Sequence, residues 1–411
     1  MRNLRFVMVG HVDHGKSTLI GRLLYDTESL PPDKLEEIRI ASEEQGKDVE
    51  FAYVMDHLEE ERSRNITIDT AQTFFRTPRR EYVIIDAPGH KEFLKNMITG
   101  ASQAEAAVLI VDAAEGVREQ TQRHAFMIGM LGLEQLVVVV NKMDQVGFDE
   151  ERFKRISRDV TDFLGKLDLK PNHVIPISAK LGDNVSNRSD NMPWYEGVTF
   201  LEALDSFENL PSSLEKPLRI PAQLTYEIEG EKVIMGRVEA GRLCKGKEVA
   251  FLPGGEKARV KNILEFGKAG KEEAEAGEST GFTLDPGLEI SRGQVAVCPG
   301  EEPPVTNRFE ASVFWMSPVP FMLDQPVLFR VATEEVPARI EKIRERMDSS
   351  SLEILEEDAS VINDTEVGEL VIVTDRPVVV ESFYKTPEMG RFVLVRDNDV
   401  VAGGIIAHKL L

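Results

Sequence analysis

Nine residues near the start of the chain, Gly10 to Thr18, read G-H-V-D-H-G-K-S-T and fit the pattern G-x-x-x-x-G-K-[ST]. That pattern holds a polyphosphate for a physical reason. Glycines at Gly10 and Gly15 let the backbone turn tightly and aim its N–H groups at phosphate oxygens, and the positive end of a following helix adds to the attraction. Lys16 is expected to reach the β- and γ-phosphates, and the Ser17 hydroxyl to ligate magnesium. His11, Val12, Asp13, His14 and Thr18 complete the wall of the loop; none of the histidines in this chain shows metal-ligand spacing.

Further motifs follow in a fixed order. Asp86-Ala87-Pro88-Gly89 closes an apolar run at Glu81 to Ile85, Asn141-Lys142-Met143-Asp144 closes one at Leu136 to Val140, and Ser178-Ala179-Lys180 ends another. An aspartate at Asp144 can accept two hydrogen bonds from the N1–H and N2–H₂ edge of guanine, a donor pair that adenine lacks. Asn141 would fix that loop and Lys142 would lie along the base, while Ser178 and Ala179 offer a hydroxyl and a backbone N–H near guanine O6 and Lys180 completes that nucleotide-binding motif. Asp86 would hold magnesium through a water, and Gly89 would follow the γ-phosphate. His90 then stands where a side chain can position the attacking water. Thr67, within Arg64-Asn65-Ile66-Thr67-Ile68-Asp69, can complete the magnesium shell only when the triphosphate is present. The expected ligands are GTP and GDP with Mg²⁺; the expected catalytic groups are His90, Lys16 and Thr67, and the metal ligands Ser17, Thr67 and Asp86.

The elements that position these residues are legible in the hydrophobic pattern. Leu4 to Val9, Val83 to Ile85, Val108 to Val111 and Val137 to Val140 are nearly unbroken aliphatic runs, as strands buried on both faces should be. Alternating with amphipathic helical stretches, they predict an α/β domain with a doubly wound, mostly parallel sheet over residues 1–210. Leu210-Pro211-Ser212-Ser213 reads as a linker. Beyond it the period becomes two, with turns at Glu229-Gly230, Pro253-Gly254-Gly255 and Pro286-Gly287. This predicts a β-barrel at 213–300 and, past Glu301-Glu302-Pro303-Pro304, a second at 305–411.

At 411 residues the chain exceeds one hydrophobic core. Its net charge of −22 disfavours non-specific adhesion to nucleic acid or anionic membranes. No run approaches the ~20 apolar residues of a membrane span, and the start runs straight into the phosphate loop, so a cytoplasmic protein is expected. Cys244 and Cys298 lack C-x-x-C spacing, which indicates neither a disulfide framework nor a zinc site.

The wording G-H-V-D-H-G-K-S, E-R-S-R-N-I-T-I-D, D-A-P-G-H and N-K-M-D resembles the translation-factor class of GTPases. Gly236 to Gly241, G-R-V-E-A-G, is similar to a barrel motif of the same factors. The resemblance implies that Val12 and Ile66 form an apolar gate beside His90. Within the class, Ser17 to Thr27, Gly116 to His124, Gly182 to Val185 and Ile290 to Gly293 resemble the GTPase subunit of sulfate adenylyltransferase. That implies a partner subunit which binds ATP and makes adenylylsulfate from ATP and sulfate, driven by GTP hydrolysis here. Asp86 to Gln103 and Val380 to Asp397 look closer to elongation factors, which implies aminoacyl-tRNA and the ribosome as partners instead.

Overall fold

The computed structural model describes residues 3–11, 13–30, 72–86, 104–208, 213–228, 230–264, 270–323 and 325–407. Val12, Thr67, Gly89 and His90 lie outside these residues, as do the linker at 210–212 and the charged span from Pro31 to Asp69. The chain packs as two compact units: Met1–Leu210 with Ser349–Ser351, and Pro211–Asp348 with Leu352–Leu411.

In the first unit the aliphatic runs become β1 (Leu4–Gly10), β3 (Glu81–Asp86), β4 (Ala106–Asp112), β5 (Leu136–Asn141) and β6 (His173–Pro176). All of these neighbours pair in parallel, and a short antiparallel strand, β2 (Gln72–Arg76), adds an edge beside β3. The order is β2-β3-β1-β4-β5-β6. The chain therefore leaves β1 first toward one edge and then toward the other. Such a reversal opens a crevice at the strands' carboxyl ends, where ligands of open α/β sheets sit. Every residue of β4 and β5 is buried, as their unbroken Val, Ile and Leu composition requires.

One face of the sheet is covered by α1 (Lys16–Asp26) and the helix Phe200–Ser206. Leu19, Ile20, Leu23, Phe200 and Leu204 pack there with Phe6, Met8, Val108, Val137 and Ile175. The latter helix starts at a capping box, in which Thr199 accepts from the Glu202 N–H and Glu202 accepts from the Thr199 N–H. The helix Glu119–Met130 packs on β1 and β4, and Glu150–Lys166 packs on β5. Asp149 caps the latter by accepting from the N–H groups of Glu151 and Arg152.

The second unit holds two barrels. The first closes through strands Glu248–Leu252, Glu256–Leu264, Ser279–Asp285, Glu231–Arg237, Ile220–Ile228 and Val295–Val297. The second runs Pro326–Val331, Arg391–Arg396, Asp399–Ile405, Val305–Trp315, Glu366–Val379, Glu334–Asp348 and Ile354–Ala359. Pairing of Pro326–Val331 with Glu334–Asp348 closes it. Apolar residues of both barrels, among them Leu252, Val297, Val379 and Met389, share a small core. Beside it lies a buried ion pair: Arg219 of the first barrel donates through Nε and Nη2 to Glu381 of the second at 3.2 and 3.1 Å, with side-chain exposures of 1% and 2%. Burial pushes the Glu381 carboxyl up, but donors from Arg219, Lys385 and Thr386 outweigh it and bring it down to about 2. Among the described residues, no helix is long and apolar enough to cross a membrane.

Candidate functional site

Sheet register places the motifs side by side. Met8 lies opposite Asp86, Gly10 opposite Ile110, and Asp112 opposite Asn141, so β1, β3, β4 and β5 end along one side of the sheet. The loop after β1 ends at Gly15, whose φ of +90° is a left-handed conformation open to glycine at little cost. A Cβ at Gly15 would lie 2.4 Å from Asn141 Nδ2, so the space belongs to the asparagine. Helix α1 begins at Lys16, and its ammonium donates to the carbonyls of Gly10 (2.6 Å) and His11 (3.1 Å), curling over the loop. Ser17 and Thr18 follow in the first helical turn, half-buried, and Asp13 is exposed.

Asn141 ties the loop after β1 to the turn after β6. Its Nδ2 donates to the His14 carbonyl at 2.9 Å, while its Oδ1 accepts from the Ala179 N–H at 3.0 Å. The Ser178 hydroxyl donates to Asp144 Oδ1 at 2.7 Å and orients that carboxylate. Thus Gly15, Lys16, Asn141, Asp144, Ser178 and Ala179 come together, whereas Lys180 is exposed.

Two acids that the sequence reading passed over belong to this cluster. Asp112 ends β4 and pairs with Lys142 at 2.8 Å, holding a lysine whose backbone is left-handed at φ +63°. Burial raises the Asp112 carboxyl, but Lys142 and the N–H groups of Ala114 and Glu115 overcome this and keep it below the usual carboxylate range. Glu115 approaches His14 Nε2 at 3.4 Å, while His14 Nδ1 faces the Ile110 carbonyl at 3.2 Å. Burial pushes the His14 imidazole below its ordinary range against the opposing influence of Ile110, Glu115 and Asp112. The signal for Asp112 was present in the sequence: an acid closing a fully apolar strand, level with the other strand-end motifs.

The residues present fit a guanine nucleotide with magnesium. The loop wall at Gly15 admits backbone only, and Asp144 is held by a neighbour that leaves its second oxygen to accept. Ser17 stands in the first turn of α1 and Asp86 ends β3, residue types whose oxygens would suit Mg²⁺.

The segment 1–210 matches the Elongation factor Tu GTP binding domain, and 308–407 matches the GTP-eEF1A C-terminal domain-like family. The chain is 41% identical to Elongation factor 1-alpha of Thermococcus onnurineus (strain NA1) and 40% identical to that of Pyrococcus furiosus, in each case over 98% of this chain and 97% of the relative. A solved structure of sup35 complexed with GMPPNP is 25% identical, with 99% of this chain and 94% of that chain covered and a TM-score of 0.46.

These matches correct the expectation of a sulfate adenylyltransferase subunit with an ATP-binding partner, because identity along the whole chain runs with proteins named Elongation factor 1-alpha. Two of the segments behind that expectation answer to backbone geometry. Gly182 and Gly293 sit at φ +87° and +94°, against Arg22 and Glu334, and a glycine demanded by its turn reports the fold and not the partner. With the nucleotide loops assembled at one sheet edge and two barrels following, the chain belongs to the translation-factor family of GTPases, which work with GTP, GDP and Mg²⁺.

Proposed function

We propose that this protein carries aminoacyl-tRNA to the ribosome in its GTP form and releases it on hydrolysis. The carrying observation is the 40–41% identity, over 98% of the chain, to proteins named Elongation factor 1-alpha. In this reading Lys16 neutralises the β- and γ-phosphates, Ser17, Asp86 and Thr67 hold magnesium, and Asp144 reads guanine with support from Asn141, Lys142, Ser178 and Ala179. His90 positions the attacking water, and Thr67 reports the γ-phosphate. Gly10, His11, Val12, Asp13, His14, Gly15, Thr18, Gly89 and Lys180 complete the nucleotide's surroundings. Binding of tRNA then has to overcome the acidic charge of −22 through local contacts. In the second barrel Arg308, Arg330, Lys342, Arg344, Arg346 and Arg376 each sit beside a carboxylate, so phosphates must compete with those internal partners.

The test is direct binding of charged tRNA to the protein loaded with a non-hydrolysable GTP analogue or with GDP, across a salt series. The analogue form should bind about 5- to 150-fold more tightly. The logarithm of affinity should fall linearly with that of salt, by roughly 0.7–0.9 per phosphate neutralised. Equal affinity in both nucleotide states would remove the carrier reading.

A further inference from the structure

The helix that begins at the phosphate loop also touches the base-reading loop, at its other end. Arg22 and Asp26 lie one helical turn apart on α1, with Arg22 Nε 2.8 Å from Asp26 Oδ1 and side-chain exposures of 20% and 6%. The Arg22 guanidinium carbon stands 5.7 Å from the Tyr25 ring centroid. Across from them runs the turn after β6. The Ser186 hydroxyl donates to Asp26 Oδ2 at 2.5 Å. Gly182, at φ +87°, fits the guanidinium so closely that a Cβ there would lie 2.4 Å from Arg22 Nη2 and 2.5 Å from Cζ. Gly182 in turn closes on Ser178, its N–H donating to the Ser178 carbonyl at 2.7 Å, while the Ser178 N–H donates to the Asp183 carbonyl at 3.2 Å. Ser178 Oγ accepts from the Leu181 N–H at 3.2 Å and donates to Asp144.

We infer that Arg22, Asp26 and Ser186 are positioning residues for guanine recognition: they brace the Ser178–Gly182 turn from α1 and thereby set the Asp144 carboxylate. The inference rests on Asp144 reading the base. Its physical content is a continuous path of short contacts, Arg22 to Gly182 to Ser178 to Asp144, with Ser186 and Asp26 fixing the arginine's other side. An unbraced turn would let Ser178 swing, and with it the hydroxyl that holds Asp144. The loss should fall first on the contact Asp144 makes, because Lys16 is held apart from that turn by the carbonyls of Gly10 and His11.

Inosine diphosphate isolates that contact, since hypoxanthine lacks only the 2-amino group of guanine. Affinities of GDP and IDP are measured for the parent, Arg22→Ala, Arg22→Lys and Ser186→Ala. The parent should prefer GDP by roughly 10- to 150-fold, the value of one charge-assisted hydrogen bond. In Arg22→Ala that preference should shrink by about three- to tenfold, and in Ser186→Ala by about two- to threefold, as for the loss of one ordinary hydrogen bond. Arg22→Lys, which keeps the charge toward Asp26 but not the flat face against Gly182, should fall between parent and alanine. Should Arg22→Ala fail to fold, the Ser186→Ala ratio decides. Equal losses for GDP and IDP, leaving the preference unchanged, would assign these residues to fold stability and overturn the inference. A parent without preference for GDP over IDP would overturn the base-reading role of Asp144 itself, a separate and recognisable result.

Discussion

Replacing Asn141 by alanine tests the central joint of the nucleotide site. The side chain is 2% exposed and makes one hydrogen bond in each direction, to the His14 carbonyl at 2.9 Å and from the Ala179 N–H at 3.0 Å. Its removal leaves two buried backbone groups unpaired, at about 1–3 kcal/mol each, so Asn141→Ala should destabilise the first unit by about 2–6 kcal/mol. Against a typical stability of about 5–15 kcal/mol that is a large fraction. Trp194 belongs to the first compact unit and Trp315 to the second, and a Trp315→Phe background makes Trp194 fluorescence the reporter of the relevant transition. In urea the midpoint should fall with little change of slope. GDP affinity should drop as well, because the two loops lose their common tie. Asn141→Asp sharpens the test: it can still accept from Ala179, but it turns an oxygen toward the His14 carbonyl and introduces a buried charge, so it too should be destabilised. A midpoint change worth less than about 1 kcal/mol in both variants, with GDP affinity at the parent value, would refute the reasoning.

Asp144→Asn should weaken GTP by roughly 10- to 150-fold and shift preference toward xanthosine triphosphate, because the amide can donate to the carbonyl that replaces guanine's amino group; a competition assay with unchanged preference would contradict base reading. His90→Ala should keep nucleotide affinity while slowing GTP hydrolysis by roughly 10²-fold, and single-turnover rates equal to the parent would exclude water positioning by His90. Glu239 concerns pH. Burial and the Glu388 charge push its carboxyl up to about 7 despite Arg237 and Arg391. A raised folded value means stability fully present below the unfolded carboxylate range and lost as pH rises through about 7. Glu239→Gln should therefore flatten the decline in stability between pH 5 and 8, read as melting temperature against pH; an unchanged profile would show that Glu239 does not titrate in that range.

What the sequence discloses depends on how local the cause is. The strands at Leu4–Gly10 and Leu136–Asn141 are readable because burial on both faces demands unbroken aliphatic residues. The barrel hairpin spanning Val327 to Arg339 is readable through its alternation. The turns after β1 and β5 announce themselves by glycine, lysine and aspartate at fixed spacing. The Asp112–Lys142 pair and the contact of Arg22 with Gly182 are not readable in this way. The first depends on the β4–β5 register that sets Asp112 opposite Asn141, and the second joins an early helix to a turn far along the chain. Strand β2 is hard to read from the sequence because its outward residues Phe74 and Arg76 give an edge strand no sustained pattern. The partner is hidden for a related reason: glycines fixed by turn geometry recur wherever the fold does, whatever the fold is used for.

The Arg219–Glu381 pair limits how the gene can be cut. A fragment that stops between the barrels would expose the patch around Leu252 and Val297 and leave Arg219 as a cation without its carboxylate. A recombinant that keeps both barrels but replaces one member of the pair leaves the other buried and uncompensated, at about 3–5 kcal/mol, much of a small domain's whole stability. Recombination, domain swapping or deletion that preserves solubility should therefore carry Pro211–Asp348 and Leu352–Leu411 together. The two barrels should then be inherited as one module, although the repeated β pattern suggests two interchangeable parts.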